Sequence, residues 1–197
     1  MHHRRYVGGD FERIGHWQYK YIRSYTDISP QTKFLDIACG CFRLGKLMIP
    51  YLDNNCYFGI DSNREIVGAG LEFELKDINK DFNVSVNSNF DFSFCSGYDI
   101  AWANSLLSHL TLHDIKTLFV NLKSISNEEN TCYFTYFDKE RTPGRHRGNS
   151  DTSHARKDFY HDWLDIKDTL VDVGWNCIKT PVQNHPRHQT IVCAKIT

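Results

Sequence analysis

The sequence predicts an open α/β fold: a mostly parallel sheet of about seven strands, helices on both faces, and an antiparallel hairpin at one edge. Three observations predict it. Short apolar runs alternate with stretches whose apolar residues recur at helical spacing. The last two strand-like runs, 176–180 and 190–196, are separated by a loop alone, which permits antiparallel pairing. The length of 197 residues suits one domain, 1–197, with a single sizeable core.

Residues 1–10 lack periodicity and end in Val7-Gly8-Gly9-Asp10. Apolar positions at Phe11, Ile14, Trp17, Tyr21 and Ile22 predict a helix over 11–25. Residues 1–30 are read as a helical lid, with Gly8 and Gly9 as its hinge. The run 33–38 predicts a buried strand, 44–52 a helix, 56–60 a second strand, 64–75 a helix and 84–86 a weak strand. Residues 98–103 read as a strand ending in a polar cluster, and 108–122 as a helix. The β-branched and aromatic run 131–137 predicts a strong strand. A helix is expected over 160–173, stopped by Gly174 as a C-cap, before the two closing strands. Residues 138–156 form a second aperiodic stretch, and loops of that length in a small domain are functional or disordered as a rule.

Composition narrows the function. The formal net charge is −1 and the pI about 6.8, without the basic excess that phosphate neutralisation requires. Nucleic acid is therefore not the expected partner. The seven cysteines include no Cys-x-x-Cys pair, so no zinc cage of ordinary spacing is expected. Several lie in strand-like runs, where a free thiol packs as a small hydrophobe, and this reads as a reducing compartment. The N-terminus is polar, and no run approaches the ~20 apolar residues of a membrane span. A cytoplasmic protein with no membrane contact is expected.

The first strand-to-helix turn carries the chemistry. In an open α/β sheet, ligands bind at the carboxyl ends of the strands, where small residues let backbone approach them. Here the turn reads Asp36-Ile37-Ala38-Cys39-Gly40-Cys41-Phe42-Arg43-Leu44-Gly45, and Asp61 follows at the end of the second strand. An acid roughly 20 residues past such a loop can accept the hydroxyls of an adenosine ribose. A dinucleotide fingerprint needs glycines where Ala38 and Phe42 stand, so pyrophosphate access is poor. Asp36 would repel a phosphate and suits a ligand carrying a cation.

These residues have a family resemblance. Leu35-Asp36-Ile37-Ala38-Cys39-Gly40 resembles motif I of the class I S-adenosylmethionine (SAM)-dependent methyltransferases, with Ala38 in place of a usual glycine. Tyr57-Phe58-Gly59-Ile60-Asp61 resembles their second-strand motif, and the stretch from Tyr98 to Leu110 their fourth-strand motif. Tyr6-Val7-Gly8-Gly9, residues 41–52, and His185-Pro186-Arg187 with Gln189 resemble a small bacterial subgroup associated with surface-polysaccharide and related biosynthetic clusters. The resemblance covers most of the chain and implies a Rossmann-like fold. It implies SAM as methyl donor, with S-adenosylhomocysteine as product.

The resemblance also implies residue roles. Asp36, Ala38 and Gly40 would line the methionine end, Asp61 would hold the ribose, and Asp91 and Phe92 would meet the adenine; Arg43, Ser62 and Asn63 are further cofactor-binding candidates. Asn104, Ser105 and His109 would sit beside the donor methyl, and His109 is the candidate general base. His109 and His113 are four apart on one predicted helix, yet no third ligand accompanies them, so no metal is expected. Asp138 reads as a cap for the loop that follows its strand, the alternatives being a metal ligand or a second base.

Residues 139–157 would face the acceptor. Their cations, Arg145 and Arg147 among them, point to an anionic small molecule, and Tyr21 is a further candidate contact. The expected reaction is methyl transfer to an oxygen of a sugar, a phosphorylated or nucleotide-linked sugar, or a capsule phosphoramidate precursor. The alternatives are an RNA methyltransferase and a non-catalytic SAM-binding partner subunit. Oligomeric state is not legible.

Overall fold

The computed structural model describes residues 3–141 and 159–197. The chain gathers into two compact units, Met1–Ile100 and Ala101–Thr197.

The first unit contains α1 (Phe11–Tyr25), β1 (Phe34–Ile37), α2 (Gly45–Tyr51), β2 (Tyr57–Asp61), α3 (Arg64–Phe73) and β3 (Asn83–Val86). β1 pairs in parallel with β2, Asp36 opposite Gly59, and β2 pairs in parallel with β3. All four residues of β1 are buried, as expected of a strand covered on both faces. Asp10 caps α1 by accepting the Arg13 N–H at 2.9 Å, and the helix buries Phe11, Ile14, Gln18, Tyr21 and Ile22. Asn63 caps α3, accepting from the N–H groups of Glu65 and Ile66. A methyl group added to Gly70 of α3 would lie 2.8 Å from the backbone of Cys41, so that glycine lets the helix pack against the loop after β1.

The second unit contains β4 (Ile100–Ala103, beginning one residue earlier), α4 (Leu112–Lys123), β5 (Thr131–Asp138), β6 (Tyr160–His161), α5 (Trp163–Val171), β7 (Trp175–Lys179) and β8 (Thr190–Ile196). β8 runs antiparallel to both β5 and β7. Its core is aromatic: the Phe119 ring meets Phe134 at 5.5 Å and Trp175 at 5.3 Å, and Trp175 donates its indole N–H to the Phe119 carbonyl.

The strand order is β3-β2-β1 in the first unit and β4-β5-β8-β7 in the second, where the antiparallel β7–β8 pair forms the edge. That is the predicted architecture. Two helices start three or more residues later than expected. The helix expected over 108–122 starts at Leu112, behind a 3-10 turn at Leu107–His109. Thr111 and Asp114 make a reciprocal capping box, which fixes the helix start there. The helix expected over 160–173 starts at Trp163, because Tyr160 and His161 are extended and pair with Phe137 and Asp138.

All seven cysteines are free thiols. Among the described residues, no helix is long and apolar enough to cross a membrane. Nor does any group of three His, Cys, Asp or Glu side chains there form a potential metal site.

Candidate functional site

The first unit builds a cradle from the loop after β1. Asp36, the penultimate residue of β1, is almost fully buried, and the Tyr57 hydroxyl donates to its Oδ2 at 2.7 Å. Burial pushes the Asp36 carboxyl from its ordinary 3.8 up to about 7, against the lowering effect of the Tyr57 hydrogen bond and of Arg43. Ala38, Gly40 and Phe42 then all adopt left-handed backbone, with φ of 63°, 58° and 60°. Only the glycine takes that conformation without steric cost. Gly40 has a second constraint: an added methyl group would lie 2.7 Å from the side chain of Val7.

Asp61 ties the cradle to β2. Its Oδ2 accepts the Gly40 N–H at 3.0 Å and its Oδ1 the Asn63 N–H at 2.9 Å. Burial raises its pKa, and these backbone donors offset part of that rise. Each oxygen keeps a lone pair that can accept from a ligand hydroxyl.

The other expected cofactor residues are placed differently. Arg43 is buried, and its guanidinium donates to the carbonyls of Val7 and Gly8 at 3.0 and 2.7 Å. It thereby fastens the N-terminal segment to the loop. His3 and Lys46 converge on the Glu74 carboxylate, which pins the same segment from the other side. Ser62 and Asn63 are exposed, and the Asn63 oxygen is engaged in the α3 cap. Asp91 is exposed and accepts the Ser93 N–H at 2.9 Å, whereas Phe92 is buried. Tyr21 is 2% exposed, its ring packed between Trp17 and Tyr25, so it presents no free surface to a substrate.

The left-handed Ala38 carries a prediction. Ala38→Gly removes the Cβ clash but loosens the unfolded chain, and the net effect is a gain of about 0.5–1 kcal/mol. Urea unfolding checks it: the midpoint rises with an unchanged m-value.

The second unit builds a polar cluster after β4. Asn104 and Ser105 follow the strand, and Ser105 is left-handed at φ 60°. Its N–H donates to Thr135 Oγ1 at 2.7 Å, and its hydroxyl donates to Gln189 Oε1 at 2.9 Å. The Thr135 hydroxyl donates to the same Gln189 oxygen at 2.6 Å. The side-chain oxygen of Asn104 lies 3.0 Å from Nε2 of His185.

His109 closes the 3-10 turn, half-buried. The turn is held from three sides. The Ser108 hydroxyl donates to the Ser105 carbonyl, and the Phe159 N–H donates to the Ser108 carbonyl at 2.7 Å. Nε2 of His161 donates to the carbonyls of Leu107 and Leu110, at 3.1 Å each, bracketing His109. Burial lowers the pKa of His161, and its two carbonyl partners offset part of that. Asp138 is fully buried and engaged: Lys179 and the Tyr136 hydroxyl donate to Oδ2, and the Glu140 N–H to Oδ1. Arg145 and Arg147 lie outside the described residues.

Sequence reasoning did not single out Tyr57, Thr135, His185, Gln189 or His161 as site residues. The stretch holding His185 and Gln189 stood out only by its resemblance to the subgroup. Tyr57 and Thr135 are β-formers in strands and carry no distinguishing signal of their own.

No family model matches the chain. Solved structures do. The magnesium protoporphyrin IX methyltransferase of Synechocystis, carrying bound S-adenosylhomocysteine, superposes with a TM-score of 0.70 at 16% identity, covering 98% of this chain and 92% of that one. A SAM-dependent methyltransferase of Clostridium acetobutylicum gives 0.68 at 10% identity, covering 96% and 93%. A glycopeptide N-methyltransferase gives 0.69 at 12% identity, covering 96% and 92%. The chain therefore has the fold of these methyltransferases over nearly its full length.

Proposed function

We propose that the chain is a SAM-dependent methyltransferase acting on a small acceptor. The observation that carries this reading is Asp36. A carboxylate buried near the end of β1, with its pKa raised to about 7, is unstable as a bare charge and becomes favourable beside a cation. The ammonium and sulfonium of SAM supply such a cation, whereas a pyrophosphate would deepen the penalty. Asp61, held by two backbone donors with lone pairs to spare, fits the ribose hydroxyls. Ala38 and Gly40 fit as backbone close to the ligand.

SAM supplies an activated methyl carbon, so the protein must align the acceptor and take its proton. His109 is the proposed base. A hydroxyl acceptor would lose its proton to the His109 ring as its oxygen bonds the methyl carbon, the S–C electron pair leaving with the thioether. The acceptor we propose is an oxygen of a sugar, a phosphorylated or nucleotide-linked sugar, or a capsule phosphoramidate precursor. The cations of residues 139–157 support an anionic one.

The test is methyl transfer from tritiated SAM to a panel of sugar phosphates and nucleotide-linked sugars by the isolated chain. Label in a sugar product supports the reading; no S-adenosylhomocysteine formed from any acceptor refutes it. Replacing Arg145 and Arg147 together by Glu is expected to raise the acceptor KM about tenfold or more, as losing a charge-assisted contact does. SAM affinity should not move, and unchanged acceptor kinetics would remove the anionic acceptor from the account.

A further inference from the structure

A chain of hydrogen bonds in the second unit fixes which way Asn104 faces. It starts from a backbone group, whose hydrogen has a known position. The Arg187 N–H donates to Nδ1 of His185 at 3.1 Å. A ring nitrogen that accepts carries no hydrogen, so the ring hydrogen sits on Nε2. Nε2 faces the Asn104 side chain at 3.0 Å and must find an acceptor there, which is Oδ1. The Asn104 oxygen is thereby turned toward a ring that is 3% exposed. Its amide NH2 points the other way, with one hydrogen directed at Ser105 Oγ, 3.3 Å off.

Ser105 is held just as firmly. Its hydroxyl hydrogen goes to Gln189, so toward Asn104 its oxygen can only accept. Its left-handed backbone costs energy, and Thr135 and Gln189 together maintain it. A strained residue held by a buried polar network is a preorganised one. Gln189 is fully buried, and its Nε2 has no partner among the described residues.

The consequence concerns the acceptor atom. An amine nitrogen has one lone pair, which must point at the methyl carbon, so the protein can orient it only by accepting its N–H hydrogens. A hydroxyl or carboxylate oxygen has a second lone pair and can be oriented by a donor. Asn104 offers a donor and withholds its carbonyl. We infer that His185 is a positioning residue that makes the site select an oxygen acceptor over an amine, by holding Asn104 with its oxygen inward. The inference rests on the methyl-transfer reading above and sharpens it.

Two measurements test it. The first is independent of turnover: long-range 1H–15N correlation of the His185 ring in the full chain. The expected result is a hydrogen on Nε2 and a bare Nδ1. A hydrogen on Nδ1 with Nε2 bare overturns the inference, because Nε2 would then accept from the Asn104 amide and turn its oxygen outward. The second uses tritiated SAM with UDP-glucose and UDP-glucosamine, the methylated atom being located by mass spectrometry.

Wild type should methylate oxygen in both. His185→Leu should lower kcat about tenfold or more, leave S-adenosylhomocysteine affinity within about twofold, and shift methylation of UDP-glucosamine toward nitrogen. His185→Gln, which keeps a donor toward Asn104, should recover most of the rate and the oxygen preference. Methylation of nitrogen by wild type overturns the inference. So do equal losses in both variants, which would mark His185 as packing alone. No label in any product, with S-adenosylhomocysteine still bound, refutes the methyl-transfer reading instead, and the ring tautomer then decides this inference by itself.

Discussion

Asp36→Asn is expected to abolish SAM binding while making the ligand-free protein more stable. The amide keeps the shape of the carboxyl and can still accept the Tyr57 hydroxyl, bonded at 2.7 Å in the parent chain. It carries no charge, so burial no longer penalises it. The sign follows from linkage. Burial raises the folded pKa of Asp36 from 3.8 to about 7, so between those values the folded state holds a proton that the unfolded state has released. Stability from this group is therefore full below about 3.8 and falls as pH rises, until the whole penalty is in place above about 7. At pH 8 the substitution should add about 1–3 kcal/mol, a discounted share of that penalty. Denaturant unfolding of the two proteins at pH 5 and pH 8 checks it, the difference being larger at pH 8. Ligand affinity moves oppositely. A buried carboxylate facing a cation is worth at least about 3 kcal/mol, so affinity should drop about a hundredfold or more in the amide variant. In the parent chain, SAM affinity should strengthen as pH rises through about 7. A variant that gains no stability and still binds SAM would place Asp36 outside the cofactor site.

His109→Gln is expected to lower kcat by about a hundred- to ten-thousandfold, the range of a lost general base. S-adenosylhomocysteine affinity should stay within about twofold, because the proposed donor contacts lie elsewhere. Three elements hold the turn that carries His109: the Ser108 hydroxyl, the Phe159 N–H and the His161 ring. These bonds fix the half-buried His109 in one place, as a general base requires. Glutamine keeps the size and polarity of the ring but cannot take a proton near neutral pH. Nearly unchanged turnover would assign His109 to packing and leave the acceptor's proton to another group. Rate measurements under saturating SAM, paired with calorimetric S-adenosylhomocysteine affinity, separate the two outcomes.

The legible parts of this chain are those governed by local pattern. The helix over 11–25 and the strand over 190–196 have the bounds that their periodicity predicts, because burial of one face or both enforces it. The start of α4 was legible as well, in Thr111 and Asp114, but the apolar run ahead of it masked the capping box. β6 was not legible: two residues carry no period, and their pairing with Phe137 and Asp138 is set by tertiary packing. In the site, Asp36 and Asp61 stand out because type and spacing are both encoded. The left-handed backbone at Ala38, Phe42 and Ser105 is invisible, since none is a glycine. His185 and Gln189 acquire partners 81 and 84 residues away, at Asn104 and Ser105, which no local pattern records.

The central claim is that the loop from Asp36 to Gly45 holds SAM through a buried carboxylate. Calorimetric titration of SAM into the wild-type chain and into Asp36→Asn at pH 8 tests it most directly. The account predicts one site per wild-type chain and little or no heat with the variant. No binding to wild type, or equal binding to both, would contradict it.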